Sequence, residues 1–289
     1  MTGNEFHERL DGFYAAGDVD GAYDFLRKQR SAALASGDQA LLLTADNALI
    51  GHCRENVRFD EVEGYYREAL ACIDAMGLHG TQSEATTFLN TATAYCIMGR
   101  ASESEALYDA AEALYRQLLP PGDPFMAAVF NNRGLLLRTQ GKREEAYAAF
   151  QKSMEVLRQC EDVEPEMAAT LLNLASVCPL ISQARTYLDG ALRYYETPAG
   201  RQDIHRFTAM ATKAELDYRA GDWAAAGDGF AETAAAWESA GLATQRLRVL
   251  LGNAEMCYEQ AGNAEKAAEM RRKKAEIETN TSESLPRRE

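Results

Sequence analysis

Residues 127–159 read AAVFNNRGLLLRTQGKREEAYAAFQKSMEVLRQ, and this stretch decides the fold. Apolar residues recur at helical spacing on both sides of Gly141, which interrupts the pattern. A glycine can adopt the left-handed conformation that ends a helix at little conformational cost. Ala146 is small at the point where two helices would cross closely, and Phe150 is large enough to fill the space between them. The stretch therefore predicts a helix–turn–helix pair with its turn at Gly141.

Equivalent breaks recur along nearly the whole chain at intervals of roughly 40 residues. Each break separates two amphipathic stretches, as in ATKAELDYRAGDWAAAGDGFAETAAAW at residues 211–237. The residues at these breaks are Gly17, Asn56, Gly99, Gly141, Gly221 and Gly262. Tyr66, Tyr108 and Phe150 also recur at repeat spacing and are expected in the core. A period of this length predicts stacked helix pairs that share one continuous core.

The copy around Pro179 departs from this pattern. About three residues are missing between Cys178 and Ala184, so we expect a shortened first helix and a tight, glycine-free turn there. With this copy included, the sequence predicts an all-α fold, a right-handed α-solenoid of about seven helix pairs. The pairs would form a single superhelical domain over residues 1–279. The remaining residues, 280–289, lack apolar periodicity and are expected to be disordered.

Composition supports a helical protein and restricts its partners. Apolar residues make up 46% of the chain, alanine is abundant and only 7 residues are proline, which together favour helix. The net charge is −14, whereas binding of nucleic-acid phosphates needs a concentrated basic face. We therefore expect no nucleic-acid partner and no anionic membrane partner, and a neutral or basic protein surface fits better.

The repeat resembles the tetratricopeptide repeat family, and its spacing of about 41 residues is similar to the longer repeats of kinesin light chains and bacterial regulators. The segment FNNRGLLLRTQGKREEAYAAFQKSME, residues 130–155, matches that longer pattern best, whereas LLNLASVC and FLNTATAYC match its first helix only. Arg133 occupies a site that is usually apolar in the family, so we expect it to be half buried against a neighbouring acid. The resemblance implies a binding scaffold, although such motifs specify architecture better than function.

Asparagines occupy one register of the predicted first helices. Asn47, Asn90, Asn132 and Asn253 each lie nine residues before their turn residue, with Asn173 in the corresponding place of the shortened copy and Thr212 near the midpoint of the remaining gap. In the resembled family this place faces the inner groove. An asparagine there could hold both sides of a peptide unit of a guest chain. Alternatively, these amides could bond to the adjacent repeat and fix the stacking, and the two uses are compatible.

We predict a peptide-binding groove from this register and its helical neighbours. It comprises Asn47, Asn90, Asn131, Asn132, Asn173, Thr212, Asn253, Arg54, Arg138 and Arg219. Further neighbours on the same predicted face are Asp46, Thr93, Leu135, Lys213, Glu215 and Glu259. Arg54 and Arg138 could clamp a carboxylate, although isolated charges of this kind are more often simply solvated. The mixed signs leave the charge of the guest undecided.

The sequence contains no residue pattern that is typical of a catalytic, metal or cofactor site. The four histidines are scattered, with His7 and His79 expected to be exposed, and none has a partner at the spacing of a catalytic triad. The six cysteines lie far apart in apolar stretches without a CxxC pair, which indicates buried, reduced thiols in a cytoplasmic protein. We expect no metal site, no cofactor and no catalytic residue. The basic run at residues 271–274, RRKK, is interpreted as a solubilising end of the last helix.

The sequence leaves two functions open. The first is a cytoplasmic, non-catalytic adaptor whose groove captures a peptide segment of another protein. The second is a peptide- or ligand-sensing regulator that changes curvature on binding, as similar bacterial repeat arrays do. The usual regulator carries an effector or DNA-binding domain, for which this chain has no room, and this makes the second function the weaker one. A weak homodimer through a terminal helix is a further partner that the sequence allows.

Overall fold

The computed structural model describes residues 3–242 and 244–283, and within them the chain forms fourteen helices and no strand. The helices divide into two compact units, residues 1–162 and 163–289. The first unit contains α1 (Gly3–Ala15), α2 (Val19–Ser36), α3 (Gln39–Glu55), α4 (Phe59–Met76), α5 (Gln82–Ile97), α6 (Ala101–Leu118), α7 (Pro124–Thr139) and α8 (Arg143–Leu157). The second unit contains α9 (Glu164–Val177), α10 (Ile181–Tyr195), α11 (Arg206–Arg219), α12 (Trp223–Ser239), α13 (Thr244–Gln260) and α14 (Ala264–Glu283).

The predicted helix pairs are all present. Each odd-numbered helix packs on the even-numbered helix that follows it, which confirms the all-α repeat fold. The turns within pairs have left-handed glycines with φ of 70° at Gly17, 77° at Gly99, 75° at Gly141, 82° at Gly221 and 73° at Gly262. The single superhelical domain and its handedness stay predictions. Helix α14 continues to Glu283, so residues 280–283 of the tail that was predicted to be disordered are helical, and residues 284–289 lie outside the described part of the chain.

The turn between α3 and α4 differs in detail from the prediction. Asn56 was expected to be the turn residue, but it has a φ of −105°, and the left-handed residue is Val57 with a φ of 59°. The Arg58 N–H donates to the Cys53 carbonyl, as the Arg100 N–H donates to the Tyr95 carbonyl in the next pair. The second pair is therefore shifted by one residue relative to the alignment on Asn56. A β-branched residue in this conformation is strained.

The two helices of the fourth pair, α7 and α8, pack closely where a glycine of one faces an aromatic ring of the other. Phe150 and Ala146 on α8 are fully buried. A Cβ atom on Gly134 of α7 would lie 2.4 Å from Cε1 and 2.6 Å from Cδ1 of the Phe150 ring. The glycine therefore makes room for the ring, and the two helices approach more closely than any larger residue would allow. Of the other predicted core aromatics, Tyr108 is fully buried and Tyr66 is only half-buried.

The fifth pair has the shortened helix and the turn that the sequence predicts. Helix α9 ends at Val177, only four residues after Asn173, and no glycine lies between it and α10. The Arg219 guanidinium at the end of α11 donates to the carbonyls of Ala175, at 3.3 Å, and Cys178. A helix C-terminus leaves carbonyls without intrahelical partners, and basic side chains can satisfy them. A side chain from the next pair thus completes the end of α9.

Ion pairs join successive pairs within each unit. Arg133 on α7 donates to Asp109 Oδ1 at 2.5 Å and to Glu112 Oε2 at 2.9 Å, both on α6. This confirms that the arginine at a usually apolar site is half-buried against acids. In the second unit, Lys266 on α14 lies 2.6 Å from Asp228 on α12. No helix in the described part of the chain is both long and apolar enough to span a bilayer.

Candidate functional site

The predicted groove residues of the first unit lie on three successive first helices. Asn47, Asn90 and Asn132 belong to α3, α5 and α7, and α5 contacts both of the other helices. All three side chains are partly exposed. We call the surface formed by α3, α5 and α7 around these residues the first-helix face. The helix packing therefore brings these three amides onto one continuous surface.

Asn47 and Asn90 are hydrogen-bonded to each other across two repeats. The Asn90 amide nitrogen donates to Asn47 Oδ1 at 3.3 Å. The Asn47 amide nitrogen donates to Thr87 Oγ1 at 2.9 Å and to the Leu43 carbonyl at 3.1 Å. Both polar atoms of Asn47 are thus used within the protein, which favours the stacking interpretation for this residue. Because the turn residue is Val57, Asn47 also lies one residue further from its turn than Asn90 does.

Asn131 and Asn132 are adjacent on α7. The Asn131 amide nitrogen lies 3.5 Å from Asn132 Oδ1. Among the described residues, no partner is present for Asn132 Nδ2, nor for Asn90 Oδ1. In the first unit, these are the two atoms of the asparagine register that can form a hydrogen bond with a guest. Asn132 Nδ2 is a donor, and Asn90 Oδ1 is an acceptor.

The residues around these amides are small or polar. On α3, Thr44, Ala48 and Gly51 are partly exposed, and nothing lies within 4 Å of a Cβ built on Gly51. On α5, Thr86 is partly exposed and Ile97 exposes 54% of its surface. Small, partly exposed side chains thus surround the amides on α3, and the exposed isoleucine adds apolar surface at the end of α5.

The three predicted arginines have different roles. Arg54 pairs with its neighbour Glu55 at 2.7 Å on α3. Arg138 is exposed at the end of α7. Arg219 is engaged with the carbonyls at the end of α9 and therefore supports the fold as well as lying at the predicted position. Of the three, Arg138 has the most exposed location, while Arg54 would have to leave a carboxylate to hold a guest.

Some neighbours that sequence reasoning placed on the groove are inside the protein. Asp46 is fully buried and accepts from Arg30 Nε at 2.8 Å, and Arg30 also contacts Glu68. Its pKa is raised to about 6 because burial disfavours the charged form more than Arg30 favours it. Thr93 is also buried, and its hydroxyl donates to the Leu89 carbonyl. Helical spacing placed both residues on the open face because it did not account for the neighbouring helices, which contact Asp46 through Arg30 of α2 and Thr93 through Tyr108 of α6.

In the second unit the predicted residues lie on α9, α11 and α13. Asn173 and Asn253 are partly exposed, and Thr212 is buried with its hydroxyl bonded to the Thr208 carbonyl at 2.8 Å. Val249 and Met256 flank Asn253 on the same helical face and expose 57% and 42% of their surface. The hydroxyl of Thr212 is thus used by its own helix, as one amide hydrogen of Asn47 is in the first unit.

Most of the cysteines, and His52 among the histidines, are buried. All six cysteines are free, and burial raises the pKa of the Cys53 thiol to about 12, which keeps it protonated. His52 is buried, and burial, with a smaller effect of Arg58, lowers its pKa. His7 and His79 are exposed, as predicted. Within residues 3–242 and 244–283 no cluster of His, Cys, Asp or Glu could hold a metal ion.

The basic run on α14 is neutralised by acids. Arg271 and Lys274 both contact Glu255, at 2.6 Å and 2.7 Å, while Lys273 contacts Glu269 at 2.9 Å. These pairs remove most of the excess charge that a nucleic-acid surface would need.

Comparisons with known proteins agree with this architecture. The tetratricopeptide repeat family model matches residues 83–159, which include all of α6 to α8 and all but the first residue of α5. Among solved structures, BtubC (BKLC) from P. vanneervenii aligns with 91% of this chain and 95% of its own, at 16% identity and a TM-score of 0.55. For pilF of Pseudomonas aeruginosa the coverages are 80% and 90%, at 18% identity and a TM-score of 0.48. For a tetratricopeptide repeat protein from Parabacteroides merdae they are 87% and 98%, at 16% identity and a TM-score of 0.42.

Only the first of these TM-scores exceeds 0.5, and at 16% identity that likeness concerns the fold alone. A comparison with curated protein sequences finds no match. The described residues form an array of helix pairs with left-handed turns, which is the architecture of a helical repeat protein. Residues 83–159 are similar to the tetratricopeptide repeat family, whose scaffold fold typically mediates protein interactions.

Proposed function

We propose that this chain is a non-catalytic scaffold that binds a peptide segment of another protein on the first-helix face. The observation that carries the proposal is the pair of amide atoms on that face, Asn90 Oδ1 and Asn132 Nδ2, which have no partner among the described residues. A peptide backbone offers one donor and one acceptor at each residue, so an extended guest can bond to both atoms. The small side chains of α3 and α5 leave its approach unobstructed.

The free energy of peptide binding requires more contacts than these two amides supply. A neutral hydrogen bond contributes about 0.5–1.5 kcal/mol net, whereas micromolar binding needs about 8 kcal/mol. The rest must come from apolar and charged anchors near the amides. Ile97 and Arg138 are exposed at the ends of α5 and α7, where they could contact an apolar and an acidic side chain of the guest.

The test is to identify what contacts this face and whether the amides matter. A photo-crosslinking amino acid in place of Ile97 is used to capture partners from a native lysate, and the crosslinked peptide is sequenced by mass spectrometry. A synthetic copy of that peptide is then titrated into the wild type and into Asn90→Ala/Asn132→Ala. We expect the double variant to bind the peptide about tenfold or more weakly, because each lost bond is worth about 1 kcal/mol.

The matched control removes two exposed amides from the second helices of the same two pairs. Gln117 on α6 and Gln151 on α8 are both exposed, and Gln117→Ala/Gln151→Ala should leave the affinity unchanged. Circular dichroism and the unfolding midpoint show whether both variants keep the fold. Equal affinity in all three proteins would show that the first-helix face does not bind the guest through these amides.

A further inference from the structure

A cleft in the first unit is lined by residues of two second helices, α2 and α4, and of the turn before α4. The cleft has a volume of about 340 Å³. Its side chains include Tyr23, Arg27, Arg30, Arg58, Glu61 and Tyr65. We call it the arginine cleft. Three arginines around one cleft are unexpected in a chain of net charge −14, so the local charge differs from that of the protein as a whole.

The tyrosine rings orient the guanidinium groups. Arg58 lies 4.1 Å and Arg27 5.6 Å from the centre of the Tyr23 ring, while Arg30 lies 5.3 Å from the centre of the Tyr65 ring. Cation–π contacts of this kind use the flat faces of the guanidinium groups. Their N–H edges are left for planar recognition of an oxyanion.

The charges already present do not satisfy all three arginines. Arg30 is held by Asp46 and Glu68. Oxygen Oε2 of Glu61 accepts from the Tyr23 hydroxyl at 2.5 Å and from the Tyr65 hydroxyl at 2.8 Å.

The other oxygen of Glu61, Oε1, is 3.9 Å from Arg58, a weak contact. No carboxylate lies within ion-pair distance of Arg27 among the described residues. Glu61 is thus the carboxylate of the cleft lining that offsets Arg27 and Arg58, so two guanidinium groups share one carboxylate charge.

The start of α4 adds to the positive potential. Arg58 is the N-cap of this 18-residue helix and makes no side-chain capping hydrogen bond. The first backbone N–H groups of a helix lack intrahelical acceptors, and they carry the positive end of the helix dipole. Ser31, which also lines the cleft, offers a hydroxyl donor from α2.

We propose that the arginine cleft binds a phosphate monoester, with Arg27 and Arg58 as its two principal ligands. Each guanidinium fork pairs with two oxygens, so two forks need more than the two oxygens of a carboxylate. A phosphate monoester supplies three oxygens and nearly two negative charges at neutral pH. The cleft volume is within the range of small-molecule sites, about 300–1,000 Å³, and leaves room for the group that the phosphate is attached to.

The phosphate could belong to a small metabolite or to a phosphorylated side chain of a peptide, and titration calorimetry distinguishes the two. The probes are glycerol 3-phosphate, a capped hexapeptide with one central phosphoserine, and the same peptide with serine, all at constant ionic strength in chloride. We expect saturable binding of both phosphorylated probes, and none of the serine peptide. Equal affinities for glycerol 3-phosphate and the phosphoserine peptide indicate a small-molecule site. An affinity for the phosphoserine peptide that is at least tenfold higher indicates a phosphopeptide site.

The variant Arg27→Gln/Arg58→Gln should bind at least tenfold more weakly. Its control, Lys28→Gln/Arg67→Gln, removes two exposed positive charges from the same two helices outside the cleft and should change the affinity by less than twofold. Glu61→Gln keeps an oxygen for the tyrosine hydroxyls but removes the competing charge, so it should bind roughly threefold to tenfold more tightly. A gain of affinity cannot come from misfolding.

Three results would overturn the proposal. The first is binding of the phosphorylated probes no stronger than that of the serine peptide, and the second is an equal loss of affinity in the two double variants. The third is weaker binding of the phosphorylated probes by a folded Glu61→Gln. The proposal does not rest on peptide binding by the first-helix face. Asn90→Ala/Asn132→Ala should keep its full affinity for glycerol 3-phosphate, so the two proposals can fail separately.

Discussion

The fourth and fifth helix pairs close their turns in different ways. The fourth pair is self-sufficient, because Gly141 supplies the left-handed turn and Gly134 admits the Phe150 ring between its own two helices. The fifth pair has no turn glycine, and its first helix is cut short at Val177. Its terminal carbonyls are satisfied by Arg219, which belongs to the following pair.

The difference shows two routes to the same architecture. A pair closed by its own glycines depends on local sequence, so its stability should respond to changes in shape. A pair whose terminal carbonyls accept hydrogen bonds from a side chain of the next pair depends on that neighbour. Its stability should therefore respond to changes in hydrogen bonding. The predictions below separate these two dependences, starting with the largest expected effect.

Replacement of Gly134 by alanine should destabilise the protein by about 3 kcal/mol. The added Cβ would lie 2.4 Å from the Phe150 ring, and this places the effect at the upper end of the range for overpacked cores. The free energy of unfolding in urea measures it. As the control, Gly64→Ala adds the same methyl group to an open position of α4 and should stabilise the protein by about 0.5–1 kcal/mol. In Gly134→Ala/Phe150→Leu much of the loss should be recovered, and a persistent loss would mean that the ring is not the obstacle.

The ion pair of Arg30 with Asp46 should make stability depend on pH, unlike the contacts of Arg219. Burial raises the folded-state pKa of Asp46 to about 6, above its ordinary value near 4. The folded protein therefore binds this proton more tightly than the unfolded chain does. As the pH rises from about 4 to about 6, this residue's contribution to stability should fall, by on the order of 2 kcal/mol.

The measurement for Asp46 is the difference in unfolding free energy between the wild type and Asp46→Asn at several pH values. This difference isolates one residue from the many other carboxylates that titrate in the same range. The wild type should lose stability relative to the variant between pH 4 and 6.5. A constant difference over that range would show that Asp46 is ionised throughout in the folded protein.

Features that repeat in the sequence were predictable, and most of those that join different pairs were not. Phe150 and Tyr108 followed from the repeat pattern, because each is buried between the two helices of its own pair. Arg133 was expected to meet an acid because it occupies a usually apolar site, although its ion pairs with α6 join two different pairs. Val57 was missed because a one-residue shift leaves hydrophobic periodicity almost unchanged. The asparagine register itself was visible in the sequence, but which of its amides are used inside the protein was not.

The contacts of Arg30 and Arg219 were missed for a different reason. Each joins helices of different pairs, and nothing in a single helix marks an arginine as buried or exposed. The arginine cleft belongs to the same class. Arg27 and Arg58 come from different repeats and meet only when α2 packs beside α4.

Arg219→Met should destabilise the protein by about 1–2 kcal/mol, since hydrogen bonds from a charged donor are worth somewhat more than neutral ones. Methionine keeps the length of the side chain and removes only the donors. The loss should be the same at pH 5 and pH 8, because the acceptors are carbonyls that do not titrate in this range. Arg193→Met, at an exposed site on α10, is the control and should have little effect. A loss that varies with pH would point to a carboxylate partner of Arg219.

The smallest expected effect concerns the Asn47–Asn90 bond, which joins the second and third pairs. A double-mutant cycle of Asn47→Ala and Asn90→Ala should give a coupling energy of about 0.5–1.5 kcal/mol, the usual net contribution of a neutral hydrogen bond. The corresponding cycle of Asn47 and Asn132, which lie on helices two pairs apart, should be additive. Coupling in the first cycle alone would establish that the asparagine register stabilises the packing of neighbouring repeats where its amides meet. Additivity in both cycles would mean that the bond between Asn47 and Asn90 contributes no stacking energy, and the amide of Asn90 would then be able to serve a bound peptide without loss of stability.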